Sequence, residues 1–320
     1  MICGDRKRID FTLNRFRETL RVAGFNDPGK EARALIEAVT GMTVEQQILH
    51  PDADIDAETM TRLNEALSMR LCHISIPQIA GYVWFDGHRF DVNKDTLVPR
   101  PETELLVEQA FHYLKKMYSS KNRATTVRIG DDPNHTSKKE HISKQRAAIV
   151  LDTFTGSGAI GIALGVRCQK EEMTLDLTLV DTSSKALNVA KKNAERLLTD
   201  DSWHIEQADI WPNEKRIFDI ITANPPYVKS DDIRHLMPEV SSHEPHLALD
   251  GGPDGLHFYR RLAKEGKSYL GHVGVLILEA GAGQADSIIS IFASEGWSEI
   301  ERIRDAAGWE RVIVFFKNIE

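Results

Sequence analysis

Cysteine is scarce in this chain of 320 residues, and the three it has, Cys3, Cys72 and Cys168, are widely spaced. An odd, scattered set excludes a disulfide framework and a thiolate metal quartet, and it fits a reducing compartment. Long hydrophobic runs are also missing: no stretch reaches the roughly eighteen apolar residues of a membrane-spanning helix. The chain start carries Asp5, Arg6, Lys7, Arg8 and Asp10 where an export signal would place its apolar segment. Asp5, Asp10 and Glu18 also argue against a mitochondrial presequence, so a cytoplasmic protein without a membrane partner is expected. Basic charge is not in excess, with 40 Lys and Arg against 48 Asp and Glu and a formal charge of −8. That balance argues against a surface built to hold a nucleic acid backbone. His235, His243 and His246 cluster in a polar segment, but no Cys or carboxylate spacing supports a metal site, so they read as ordinary loop residues. No internal repeat is apparent.

What is present has the make-up of a globular enzyme. At 41% hydrophobic and 28% charged, the chain can bury a sizeable core. Apolar residues recur at helical spacing in the first part: Phe16, Leu20 and Val22-Ala23; Ala32, Leu35, Ile36 and Val39; Met60, Leu63, Leu67 and Leu71. Pro28-Gly29, Thr40-Gly41 and Pro51-Asp52 punctuate these helices. The pattern predicts a small all-helical domain over residues 1–75, with these apolar stripes as its core, that can also present a face to a macromolecular partner. Residues 76–98 form a linker, in which Ile79 to Phe90, with Gly81 and Asp86-Gly87, reads as a hairpin. The larger domain follows over residues 99–320. Within it, residues 119–146 are long and polar, with Asp131, Asp132, Pro133, Asn134 and Lys138-Lys139-Glu140, and read as a mobile surface insertion.

From Ala147 onward, strand-like and helix-like runs alternate: Ile149 to Leu151, Ala159 to Val166, Leu175 to Val180, Ala186 to Leu198, Ile205 to Ala208 and Ile217 to Thr222. Alternation of this kind predicts an α/β fold with a mostly parallel sheet and helices on both faces, whose ligands collect at the carboxyl ends of the strands. Thr153 to Gly158, Asp181, Asp209 and Asn224 all fall at such ends. Gly156 and Gly158 let backbone approach a ligand, and the amides opening the next helix supply donors. Asp181, 25 residues past Gly156, can accept two ribose hydroxyls, although the spacing is not the G-x-G-x-x-G of dinucleotide folds. A tight strand-to-helix turn is the plainer reading of the two glycines.

Asn224-Pro225-Pro226-Tyr227 follows the apolar run Phe218 to Ala223. Two prolines bring carbonyl oxygens without competing N–H donors, Asn224 adds an amide oxygen, and Tyr227 offers an aromatic face. These groups suit a planar NH2, such as a carboxamide or an exocyclic base amine. The segment also fits a simple strand-ending turn.

Taken in order, Asp152-x-x-x-Gly156-x-Gly158, Asp181, Asp209 and Asn224-Pro225-Pro226-Tyr227 resemble the S-adenosylmethionine-dependent methyltransferases that modify planar amino groups. Leu97-Val98-Pro99-Arg100-Pro101-Glu102-Thr103-Glu104, the stretch Glu244 to Leu256, Leu278-Glu279-Ala280-Gly281-Ala282-Gly283-Gln284 and Arg304 to Val312 are similar to the release-factor glutamine methyltransferase family. The resemblance covers most of residues 75–318 in collinear order. It implies a seven-stranded Rossmann-like sheet ending in an antiparallel hairpin, S-adenosylmethionine as cofactor, and a peptide chain release factor as protein substrate, methylated on the glutamine of its Gly-Gly-Gln motif. On this resemblance Asp152, Phe154, Thr155, Gly156, Ser157, Gly158, Asp181, Asp209, Ile210 and Asn224 hold the cofactor. Asn224, Pro225, Pro226 and Tyr227 bind the substrate amide, and Asn224, Pro225 and Tyr227 carry the chemistry. Arg100, Glu102, Glu104 and Glu279 are further candidates at the site entrance. The family usually has glycine where this chain has Phe154, so the first turn after Asp152 must hold a bulky ring near the cofactor. Two other readings stay open: a base-methylating enzyme acting on nucleic acid, and a cofactor-binding scaffold without turnover.

Overall fold

A computed structural model describes residues 7–124, 147–200 and 202–317. The chain divides into two compact units, one of residues 1–84, 89–98 and 234–246 and the other of residues 85–88, 99–233 and 247–320.

The first unit contains α1 (Ile9–Val22), α2 (Pro28–Thr40), α3 (Val44–Leu49), α4 (Ala57–Leu71) and α5 (Ile76–Ala80). Local signals set their ends. Asp27 caps α2 ahead of Pro28, Gly41 closes it in the left-handed conformation, Thr43 and Gln46 form a capping box on α3, and Asp56 caps α4. The core is Ile9, Phe16, Leu20, Ala32, Leu35, Ile36, Ile55, Leu63 and Ala66. Val22 and Leu71, read from the sequence as core, are instead 74% and 36% exposed. Val22 lies two positions from Leu20, about 200° around the helix and off the stripe that Ile9, Thr12, Phe16 and Leu20 define.

A hairpin follows, β1 (Tyr82–Phe85) and β2 (His88–Asp91), joined at Asp86-Gly87 with φ of 50° and 72°. Two successive positive φ values match the right-handed strand twist, which is why Asp-Gly suits the turn. The expected hairpin is therefore shorter than Ile79 to Phe90, because Ile79 belongs to α5, capped by Ser75 and ended by Gly81.

In the second unit, α6 (Glu104–Ala124) precedes β3 (Ala148–Thr153), α7 (Ala159–Lys170), β4 (Leu175–Asp181), α8 (Ser184–Leu197), β5 (Trp203–Gln207) and β6 (Phe218–Ala223). Helix α6 runs through residues 119–124, so the first part of the expected insertion is helical; residues 125–146 lie outside the described residues. A short helix, α9 (Pro238–Ser241), sits in the stretch grouped with the first unit. The chain then forms α10 (His257–Glu265), β7 (Leu270–Glu279), α11 (Ala285–Ser294), β8 (Trp297–Arg304) and β9 (Glu310–Lys317).

The seven strands lie in the order β5-β4-β3-β6-β7-β9-β8, all parallel except β9, which runs antiparallel to both β7 and β8. The predicted fold class holds, and the strand order adds that β9 is inserted between β7 and β8. Strand order reverses between β3 and β6, where Asp152 pairs with Thr222 and Thr153 with Ala223. Crossovers leave in opposite directions from this point, so a crevice opens at the carboxyl ends of these two strands. Both are largely buried on two faces, which explains their mostly apolar sequences.

Helix α7 packs tightly onto this centre because it is small-residue rich. A Cβ on Gly161 would lie 2.5 Å from Leu179 Cδ2 and 2.9 Å from Asp152 Cβ. Gly161→Ala should therefore destabilise the second unit by about 2 kcal/mol, an overpacking cost read as a lowered urea midpoint with unchanged slope.

Candidate active site

The loop after β3 is bent by backbone in the left-handed region. Phe154, Gly156 and Gly158 have φ of 59°, 56° and 82°. Gly158 is also tightly enclosed, since a Cβ there would meet Ile162 Cδ1 at 2.4 Å. Phe154 stands where glycine is conformationally favoured, and its ring packs edge-on against Phe258 with centroids 5.1 Å apart. That contact, and packing against the buried cluster around Phe218 and Tyr259, offsets a backbone cost of about 1 kcal/mol.

Asp152 holds the loop in place. Its carboxylate is fully buried and accepts from Thr155 Oγ1 at 2.5 Å, Gly161 N at 3.1 Å and Thr222 Oγ1 at 2.8 Å. One side chain thereby joins β3, β6, the loop and the first turn of α7. Burial pushes its pKa up to about 6, against the pull of the three donors. Asp152 is thus wholly taken up with the loop it shapes. Ser157 is buried, and its carbonyl accepts from Asn193 Nδ2 at 2.9 Å.

Asp181 ends β4 and accepts from Gly156 N and Ser183 N, each at 2.9 Å, one on each carboxylate oxygen. Burial raises its pKa against these amide bonds. Each oxygen keeps a second lone pair, and the residue is partly exposed, which suits a pair of hydroxyl donors. Beyond β5, Ile210 is buried with φ of 67°, and its carbonyl accepts from Thr153 Oγ1 at 2.6 Å. Asp209 beside it is exposed and paired with Arg261 of α10 at 3.0 Å.

At the end of β6, Asn224 and Tyr227 are half-buried and Pro225 and Pro226 buried. Asn224 Nδ2 donates to Glu279 Oε2 at 3.0 Å, and Thr103 Oγ1 donates to the same oxygen at 2.6 Å. The Tyr227 hydroxyl reaches Glu279 Oε1 at 3.4 Å, while Gln284 Nε2 donates to the Tyr227 carbonyl at 3.0 Å. Glu279 is 2% exposed, and burial raises its pKa against the donors around it. Burial, reinforced by the Glu279 charge, pushes the Tyr227 phenol well above its ordinary value and keeps it protonated. Gly281 allows this arrangement, since a Cβ there would lie 2.3 Å from Gln284 Oε1 and 3.0 Å from Tyr227 Cδ2.

The two clusters meet through the β3–β6 pairing: the glycine loop and the Asn-Pro-Pro-Tyr segment leave adjacent strand ends. Thr103, Thr222 and Gln284 were not singled out by sequence reasoning. Thr103 and Gln284 did lie in family-like segments, but only the fold reveals that they converge on Glu279 and Tyr227. Glu104 turns elsewhere, accepting from Asp86 N at 2.8 Å. His243 Nε2 lies 2.7 Å from the Cys72 carbonyl, and His235 meets Arg234. Among the described residues no group of His, Cys, Asp or Glu is placed to hold a metal ion.

Residues 139–245 match the family model described as "Methyltransferase small domain", and residues 12–81 match "PrmC N-terminal domain". A reversal of strand order with a glycine-bent loop on one side and an Asn-Pro-Pro-Tyr segment on the other belongs to the Rossmann-like methyltransferases that take their methyl group from S-adenosylmethionine, and this protein is one of them. The release factor glutamine methyltransferase of Agrobacterium fabrum is 32% identical over 299 residues, covering 93% of this chain and 94% of the relative. That of Thermodesulfovibrio yellowstonii is 31% identical over 306 residues, covering 96% and 98%. A bifunctional methyltransferase of Rickettsia felis is 30% identical over 314 residues, which are 96% of this chain and 58% of that protein. The chain belongs to the release factor glutamine methyltransferase family.

The buried Asp152 carboxylate makes the fold sensitive to pH. Its pKa is raised from 3.8 to about 6, so its contribution to stability is complete below 3.8 and is lost as pH climbs through about 6. An Asp152→Asn variant keeps an acceptor for Gly161 N and Thr155, and the Thr222 hydroxyl can rotate to accept from the new amide. Its stability relative to the parent protein should rise between pH 4 and pH 8 by roughly 3 kcal/mol, the equivalent of two pKa units. Urea unfolding of both proteins at each pH measures the difference.

Proposed function

We propose that this protein transfers the methyl group of S-adenosylmethionine to the side-chain amide nitrogen of the glutamine in the Gly-Gly-Gln motif of peptide chain release factors. One observation carries the reading. Asn224 gives an amide hydrogen to Glu279, which keeps its side-chain oxygen available as an acceptor one residue before the Pro225 carbonyl at the end of β6. A carboxamide NH2 has two hydrogens to give, and such a pair takes both.

The glycine loop, Asp181 and the Asp209-Ile210 segment would hold the cofactor, whose sulfonium supplies an electrophilic methyl group. Left-handed backbone at Gly156 and Gly158 brings the loop close to a ligand, and the partly exposed Asp181 carboxylate suits ribose hydroxyls. An amide nitrogen is a poor nucleophile because its lone pair is delocalised into the carbonyl. The residues here therefore act by positioning. Asn224 Oδ1 and the Pro225 carbonyl fix the plane and direction of the NH2, and their negative ends favour the charge that the nitrogen gains in the transition state. Tyr227, held through its hydroxyl and its carbonyl, stacks on the amide plane and faces the same positive charge. No side chain need remove the proton, since an N-protonated amide is strongly acidic and loses it to water.

The helical first unit would recognise the body of the release factor, and the reaction would take place in the cytoplasm on protein instead of nucleic acid. The formal charge of −8 supports a protein substrate. No described helix is long and apolar enough to cross a membrane.

Incubation with methyl-labelled S-adenosylmethionine and a release factor should label the intact Gly-Gly-Gln sequence and not its Gln→Ala version. Asn224→Ala should still bind the cofactor measurably and lose about 10²-fold or more in kcat/KM. Undiminished methylation by a folded, cofactor-binding Asn224→Ala protein would remove Asn224 from this role, and label on nucleic acid would reverse the substrate assignment.

A further inference from the structure

We propose that Glu279 is the positioning residue of this site: by reach and acceptor geometry its carboxylate sets the Asn224 amide with oxygen toward the substrate and holds the Tyr227 ring in place. The inference rests on the glutamine-methylating reading above.

The two ends of an asparagine amide have nearly the same shape, so packing alone cannot decide which faces the substrate. Only one orientation helps. With oxygen outward, Asn224 accepts a substrate N–H; with nitrogen outward, it meets the substrate NH2 donor to donor. Glu279 makes the choice because its Oε2, already accepting from Thr103 Oγ1, is an acceptor facing the amide, so it draws Nδ2 inward at 3.0 Å. The carboxylate is fixed in turn. Thr103 Oγ1 donates to the same Oε2 at 2.6 Å from the turn ahead of α6, the Tyr227 hydroxyl approaches Oε1, and the Glu279 carbonyl accepts from Tyr259 Oη at 2.9 Å. Two separated segments, at Thr103 and at Asn224 to Tyr227, therefore meet on one side chain that is 2% exposed, while Tyr259 holds its backbone. Such burial of a carboxylate is expensive unless its donors are kept, which makes the arrangement self-consistent and rigid.

Reach and charge can be separated by two conservative variants. In Glu279→Gln the oxygen end stays toward Thr103 and Asn224, because both donate there, and the new NH2 turns to the Tyr227 hydroxyl, which can accept. Glu279→Asp keeps the charge but withdraws the acceptor by one methylene. If Glu279 acts by positioning, Glu279→Asp loses about 100-fold in kcat/KM on the release factor, and Glu279→Gln loses less than tenfold, both with unchanged cofactor affinity. The reverse ranking, an active Asp and an inactive Gln variant, would show that the charge itself is needed and would overturn the proposal. Equal losses in the two variants would overturn it as well. A double-mutant cycle adds a readout that general loosening of the fold would not move. In an Asn224→Ala background, Glu279→Asp should lower kcat/KM by less than tenfold, because one of the two groups it positions is gone; fully additive losses would count against the role. Failure of the glutamine reading is distinct, since the unmodified protein would then leave the Gly-Gly-Gln glutamine unlabelled.

Discussion

A buried carboxylate with three protein donors at the end of β3 is the constraint on which the rest of this site depends. Asp152 brings together a strand, its neighbour, a loop and a helix by accepting from Thr155, Thr222 and Gly161. Its burial is unfavourable to the charged form, and the donors offset that cost only in one backbone arrangement. The left-handed turns at Phe154, Gly156 and Gly158 are the shape the chain takes to satisfy it. Loop geometry here is thus imposed from beneath, by an interior hydrogen-bond set.

A second buried carboxylate, Glu279, does the same for the other half of the crevice, three strands of sheet being enough to carry both. Between them the sheet is nearly all apolar, with Val150, Leu151, Ile220, Ile221, Leu276 and Ile277 fully buried. Such a core resists small displacements, so the two clusters keep their spacing. Specific polar contacts are concentrated at the strand ends, where backbone pairing stops and side chains must complete it.

The parts that were legible in the sequence are those whose signal is local. Alternating apolar runs disclosed the parallel sheet, and Gly156, Gly158, Asp181 and the Asn-Pro-Pro-Tyr run stand within a few residues of the strands that present them. Asp-Gly at residues 86 and 87 marked the hairpin for the same reason. Contacts made across long sequence separations left no such trace. Thr103 meets Glu279 across 176 positions and Asn224 meets it across 55, so neither pairing has a periodicity to read. The grouping of residues 234–246 with the helical unit is equally non-local, resting in part on Arg70, which binds Glu31 and Glu239. Val22 and Leu71 were misread because an apolar residue type does not by itself locate a side chain on the inner stripe.

The insertion of β9 between β7 and β8 bears on biogenesis. A chain appears from its amino end onward, and its domains fold as units as they emerge. The helical unit is nearly complete by residue 98, and the glycine loop can form once β6 has been made. Glu279, however, ends a strand whose far neighbour is Glu310–Lys317. During synthesis the crevice would therefore mature from one side to the other, with the glycine-loop half preformed and the Asn224 half waiting for the final strand to slot into the sheet. A nascent chain halted before β9 would carry the glycine loop without a firmly seated Asn224, and would be a half-built enzyme.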